Sequence, residues 1–179
     1  MTERPSELTT EEYIAEVERI ISTSTDAGVV LRLLGSTAFQ VHCPKYSYLG
    51  EKMKRALTDI GFMGYSRQRD DIISLLRRLK YTYDFSAHLE MALLGGRLIF
   101  WRKDDSKMHV DVFLDKLQMC HTIDFRGRLE LEEKTIPLAE MFLEKMQIVN
   151  MAEKDVKDTI MLLREHNVTP SDKEAVNIE

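Results

Sequence analysis

The segment Val29-Val30-Leu31-Arg32-Leu33-Leu34 constrains this chain most. It is short, β-branched at its start, apolar but for Arg32, and stopped by Gly35. Such a run is too short for a buried helix and reads as a strand inside a sheet. Helical periodicity brackets it. Thr9 and Thr10 stand ahead of Glu11 and Glu12, an N-cap with acids in the first turn. Tyr13, Ile14, Val17, Ile20 and Ile21 then recur at helical spacing and predict a helix over Thr10 to Ser24. Beyond the strand, Ser36-Thr37 caps a second helix, Thr37 to His42, which stops before Pro44. A buried strand flanked by helices on both sides predicts an α/β (α+β) domain.

The rest of the chain extends the pattern. Thr58 to Tyr65 reads as a strand, with Ile60 and Phe62 on one face and Asp59 and Gly61 on the other. Arg67 to Lys80 is a helix whose apolar stripe is Ile72, Ile73, Leu75, Leu76 and Leu79. Arg97 to Arg102 and His109 to Leu114 are two more strands, joined through the turn-like Asp104-Asp105-Ser106-Lys107. In the second of them His109, Asp111 and Phe113 share the face opposite Val110 and Val112. Arg128 to Leu131 reads as a further strand, and Glu51 to Leu57 as a short basic helix. From Pro137 the chain is helical, with Leu138, Met141, Phe142, Lys145, Met146 and Val149 at spacings of three and four, then Lys154 to His166. The expected organisation is one domain. It comprises an N-terminal helix (1–28), a core (29–136), a packed helix pair (137–167) and a loose tail (168–179). Its small mixed sheet is expected to carry helices on one face and leave the other open for a ligand.

Composition removes several classes. With 44% apolar and 31% charged residues in 179, neither disorder nor a collagen-like chain fits. No apolar run reaches the ~18 residues of a membrane span, and the acidic, polar start is no secretory signal. Two Cys make no disulfide framework, so a reducing, cytoplasmic setting is expected. The net charge of −5 argues against a general nucleic-acid coat. His42-Cys43 and Cys120-His121 would supply four zinc donors, but adjacent residues diverge in strands and helices alike, and the usual spacers are missing.

One constellation carries chemistry. A strand ends at Gly35-Ser36 as a helix begins, a second strand carries Asp59, and a third carries Asp111. A Gly-Ser turn at a helix start offers unpaired N–H groups and a positive dipole end to phosphate oxygens. Carboxylates on neighbouring strands can hold Mg²⁺ with a triphosphate. Leu34-Gly35-Ser36-Thr37-Ala38, Arg55-Ala56-Leu57-Thr58-Asp59-Ile60-Gly61-Phe62 and His109-Val110-Asp111-Val112-Phe113, taken together, resemble the three motifs of the polymerase-beta type nucleotidyltransferase superfamily. More narrowly, they resemble the small bacterial abortive-infection-type proteins within it. Leu138 to Gln147, then Lys154-Asp155-Val156-Lys157-Asp158, is similar to the Lys-bearing helix and the Lys-Asp-x-x-Asp helix of those families.

The resemblance implies roles. Gly35 and Ser36 would cradle the β- and γ-phosphates, Asp59 and Asp111 would ligate Mg²⁺, and Lys145 would neutralise the triphosphate. An acceptor hydroxyl, on a tRNA or a protein, would attack the α-phosphate and release pyrophosphate. Two departures bear on this. Gly61 stands where the motif has its second acid, and the interval from Gly-Ser to Asp59 is longer than in the compact form. Glu51 or Asp70 is a candidate replacement for the missing acid. The alternative is a catalytically inactive member, a nucleotide-binding or protein-interaction module. Arg67, Arg69, Arg77, Arg78 and Lys80 form a basic helix face, beside which Tyr81 and Tyr83 either stack a base or pack at a strand start.

Overall fold

The computed structural model describes residues 9–46, 48, 57, 59–85, 96–104 and 108–178. Helix α1 spans Thr10–Asp26. Thr9 Oγ1 accepts from the Glu12 N–H at 3.2 Å and the Glu12 carboxylate accepts from the Thr9 N–H at 2.7 Å, closing a capping box. The helix runs two residues past Ser24. Thr23, Ser24 and Thr25 spend their hydroxyls on carbonyls one turn back instead of breaking it.

Strand β1 (Leu31–Leu34) passes directly into α2 (Gly35–His42). The corner needs a residue of positive φ, and Gly35 supplies it at +71°. The helix therefore starts two residues earlier than Thr37. Then follow β2 (Ile60–Gly64), a 3₁₀ turn at Ser66–Gln68, α3 (Arg69–Arg78), β3 (Tyr81–Tyr83), β4 (Arg97–Arg102) and β5 (His109–Leu114). The five strands form one mixed sheet in the order β1-β2-β5-β4-β3, with β2 and β5 parallel and the other neighbours antiparallel. An α/β architecture is what the alternating strand and helix periods predict.

The register sorts the sheet into two faces. Leu31, Leu33, Phe62, Val110, Val112, Leu98 and Phe100 are buried in the core on one of them, with Val17 and Ile20 of α1 and Ile72, Leu75 and Leu76 of α3. Gly64 lets α3 approach closely, since a Cβ there would meet Ile72 Cδ1 at 2.9 Å. On the opposite face the β1–β2 end is covered. Met63 is fully buried, and the Arg32 guanidinium donates to the Leu129 and Glu132 carbonyls. Toward the β4–β5 end Arg97, Ile99, His109 and Phe113 are half-buried and Trp101 is exposed.

A hairpin, β6 (Lys116–Gln118) with β7 (Thr122–Asp124), follows the sheet. Helices α4 (Leu138–Met146) and α5 (Glu153–Glu165) come next, then β8 (Asn167–Thr169) and β9 (Ala175–Asn177) as a small parallel pair. Two expectations are corrected here. Residues 128–131 form turns, not a strand. The chain pairs with β1 further on, where Leu33 donates to the Lys134 carbonyl and accepts from the Ile136 N–H. The tail is not loose either, because Ala175 and Val176 are buried. The basic helix expected at Glu51 to Leu57 lies outside the described residues apart from buried Leu57, as do Asp105, Ser106 and Lys107 of the expected turn.

Candidate metal centre

β1 runs antiparallel to β2, and β2 parallel to β5. The end of β1, the start of α2, the start of β2 and the start of β5 therefore meet at one edge of the sheet. Asp59 immediately precedes β2, and Thr37 Oγ1 of α2 donates to its main-chain carbonyl at 3.2 Å. The parallel register pairs Gly61 with Asp111, and continuing it two residues back places Asp59 beside His109. Asp59, His109 and Asp111 each bring a ligand atom within 4.8 Å of the others. The two predicted metal ligands thus converge, joined by an imidazole on the same face.

Asp111 is 3% exposed. Arg97, on the neighbouring strand, donates to its Oδ2, and His109 Nε2 stands 3.9 Å from the same oxygen. Its Oδ1 is buried and has no hydrogen-bond partner. A buried carboxylate oxygen left unpartnered is costly, which favours a water or a cation beside it. Two carboxylates and an imidazole are a fitting donor set for a divalent cation. Trp101 registers across from His109, their ring centroids 4.9 Å apart. The Tyr13 phenol on α1 is raised above its ordinary pKa, first by burial and then by the Asp59 charge, which places α1 within the electrostatic reach of the site.

Gly61 has a local reason. A Cβ there would meet Leu34 Cδ1 at 2.9 Å and the Leu34 carbonyl oxygen at 3.3 Å. The space a side chain at position 61 would enter is taken by the Leu34 side chain. Asp70 does not replace that acid. It lies in the first turn of α3 with a side chain 94% exposed, paired to Arg69 at 3.2 Å. Glu51 lies outside the described residues.

The other predicted site residues have different surroundings. The Gly35 N–H, first of the α2 start, donates to both Glu144 oxygens at 3.2 and 3.3 Å, and Ser36 is half-buried behind it. A protein carboxylate thus sits where the resemblance implies phosphate. Burial raises the Glu144 pKa to about 7, against the opposing pull of Lys145 and the Gly35 N–H. Lys145 is buried, with Nζ 3.0 Å from Asp155 Oδ1 and 2.9 Å from Asp158 Oδ2, and 5.2 Å from the Phe39 ring centre. Burial alone would lower the pKa of its ammonium, but Asp158, Glu144 and Asp155 outweigh that and raise it. Asp155 and Asp158 are therefore internal partners of Lys145 and not a solvated helix face. As placed, Lys145 is committed to them and not to an incoming triphosphate.

On the basic face Arg67, Arg77, Arg78 and Lys80 are exposed. Tyr81 is fully buried with its hydroxyl donating to Glu16 at 2.8 Å, so it packs and cannot stack a base. Cys43 is buried and its thiol pushed up to about 12, chiefly by burial, while Cys120 is exposed. Among the described residues neither joins a metal-holding cluster. Two surface clefts, about 430 Å³ beside Tyr65 and Arg126 and about 470 Å³ beside Arg32 and Glu133, contain none of the converging donors, so we place no chemistry there. No described helix is long and apolar enough to cross a membrane. No protein-family model matches the chain, and no curated protein or solved structure does.

Proposed function

We propose that the chain is a nucleotidyltransferase-like protein that binds a nucleoside triphosphate together with a divalent cation, Mg²⁺ or a close relative, held by Asp59 and Asp111. One observation carries the reading: the convergence of these carboxylates beside the start of α2, with the buried Asp111 Oδ1 unpartnered. When bound, the cation supplies charge neutralisation and alignment to the triphosphate. Arg97 fixes the Asp111 carboxylate from the neighbouring strand. Transfer, where it occurs, forms a bond from an acceptor hydroxyl to the α-phosphorus and breaks the α–β bridge, releasing pyrophosphate. The sheet face around Trp101 and Phe113 is the side from which a tRNA or protein acceptor approaches. The setting proposed is cytoplasmic.

A specific observation favours a second reading, a family member that binds or interacts without turnover. Gly61 and Leu34 displace the second acid, and Glu144 occupies the Gly35 N–H. Calorimetric titration of ATP, GTP, CTP and UTP into the chain, with and without Mg²⁺, tests the main reading. At least one triphosphate is expected to bind only with the cation and to lose binding in Asp59→Ala. Failure of all four to bind removes the nucleotide from the account. Binding without pyrophosphate release supports the second reading.

A further inference from the structure

We propose that His109 is the third ligand of this centre and that the chain in consequence prefers a transition-metal dication of the Mn²⁺ class to Mg²⁺. The inference rests on the reading that Asp59 and Asp111 hold the cation.

The sheet register makes the substitution of one donor for another intelligible. Four positions share one face at this end of β2 and β5: Asp59 just ahead of β2 and Gly61 within it, His109 and Asp111 on β5. At Gly61 a donor is lacking, and Leu34 fills the space. The fourth corner is His109, whose ring nitrogen lies within 4.8 Å of a carboxylate oxygen of each acid. Three donors converge without any help from position 61. The imidazole is half-buried, held from one side by the Trp101 ring.

Asp111 supplies the independent sign that something binds. Arg97 engages its Oδ2 and leaves Oδ1 buried and unpartnered. Donor chemistry then chooses the cation. Mg²⁺ favours oxygen ligands and water, whereas imidazole suits first-row transition dications, so one imidazole beside two carboxylates shifts the set away from Mg²⁺ and toward that series, of which Mn²⁺ is the member nearest to Mg²⁺ in its taste for carboxylates.

Trp101 is the single tryptophan of the chain, so its fluorescence reports on the ring it stacks against. The test titrates MnCl₂ and MgCl₂ separately into the full chain without nucleotide, by calorimetry and by Trp101 emission. His109→Ala and His109→Asp are run beside the wild type, with circular dichroism to establish that each is folded. Mn²⁺ is expected to bind at least ~10-fold more tightly than Mg²⁺, a scale on which even groups supporting a metal act. It should also quench Trp101. His109→Ala is expected to erase the preference, and His109→Asp, which restores an all-carboxylate set, to turn it toward Mg²⁺. A wild type without preference, or a preference unchanged in both variants, overturns the role of His109 and leaves the triphosphate reading standing. Mn²⁺ binding by the wild type without triphosphate binding does the reverse. A chain that binds neither ion overturns the role of His109, and the triphosphate titration decides the other reading separately.

Discussion

Glu144 and Lys145 are adjacent charges on α4 with opposite tasks. Lys145 holds together two buried carboxylates, and removing one member of such a cluster costs roughly 3–5 kcal/mol because a charge is left unpaired. Its two carboxylate partners account for its burial. Glu144 faces the Gly35 N–H on α2, with Lys145, Asp155 and Asp158 around it. Its pKa of about 7 lies above the ordinary 4.5. The folded state therefore binds this proton more tightly than the unfolded one. The stabilisation this provides is full below pH 4.5 and is lost as pH rises through 7. Thermal melts across that window are expected to show a midpoint that falls with pH. Glu144→Gln, which keeps an acceptor for the Gly35 N–H, should flatten the trend. An unchanged slope in the variant would remove Glu144 as its source. In the sequence, Asp59 and Asp111 are legible because each is an acid on an otherwise apolar strand. His109 shares the Asp111 face by simple alternation, so its signal is present in the same period of two. Glu144 falls three residues after Met141, on the buried stripe of α4, and a charge at core spacing is the signal that marks it. Sequence periodicity does not tell whether a charge on such a stripe is paired inside or lies at its border.

Strands and helices long enough to show a period are legible, and shorter ones are not. α1, α3, β4 and β5 follow the spacing of their apolar residues closely. The three-residue strands β6 to β9 carry too few residues to display alternation. Residues 128–131 mislead for a different reason: the Arg32 guanidinium takes the Leu129 and Glu132 carbonyls, so that backbone is satisfied by a side chain and not by a strand. The β1–β2 pair is where element and site meet. Leu34 registers opposite Gly61, and its side chain lies over the glycine. Gly61→Asp, which rebuilds the motif's acid, is expected to destabilise the chain by about 1–3 kcal/mol through overpacking. In a Leu34→Ala background the same change should cost measurably less, since the two residues compete for one space. The double variant should also bind Mg²⁺ more tightly than Leu34→Ala alone. Denaturant midpoints and calorimetry give both quantities. Additive stability effects would mean that Leu34 is not what excludes an acid from position 61.

At the scale of the whole molecule, the C-terminal segment is a clasp for α4, the helix that packs against α2. Arg128 donates to Glu140 of α4 at 2.5 Å and to Asp172 at 2.8 Å, and Asn177 donates to Asp172 at 3.2 Å. β9 lies against α4, with Ala175 and Val176 buried. The same α4 carries Glu144 to the Gly35 corner. The polar composition of the final residues suggests looseness, and the two apolar residues that decide otherwise are too few to form a pattern. Burying a side chain such as Val176 contributes about 2 kcal/mol. In a chain this long, that corresponds to a melting midpoint lower by roughly 4–8 °C. Deleting residues 170–179 is therefore expected to lower the midpoint by at least that much, and to weaken cation binding by loosening α4 against α2. Deleting only residues 178 and 179 removes exposed Ile178 and the last residue, so it should change neither. Equal midpoints for the two deletions would show that β9 adds nothing to the fold. A lowered midpoint with unaltered cation affinity would separate the clasp from the site, leaving β1, β2 and β5 to hold the donors without α4.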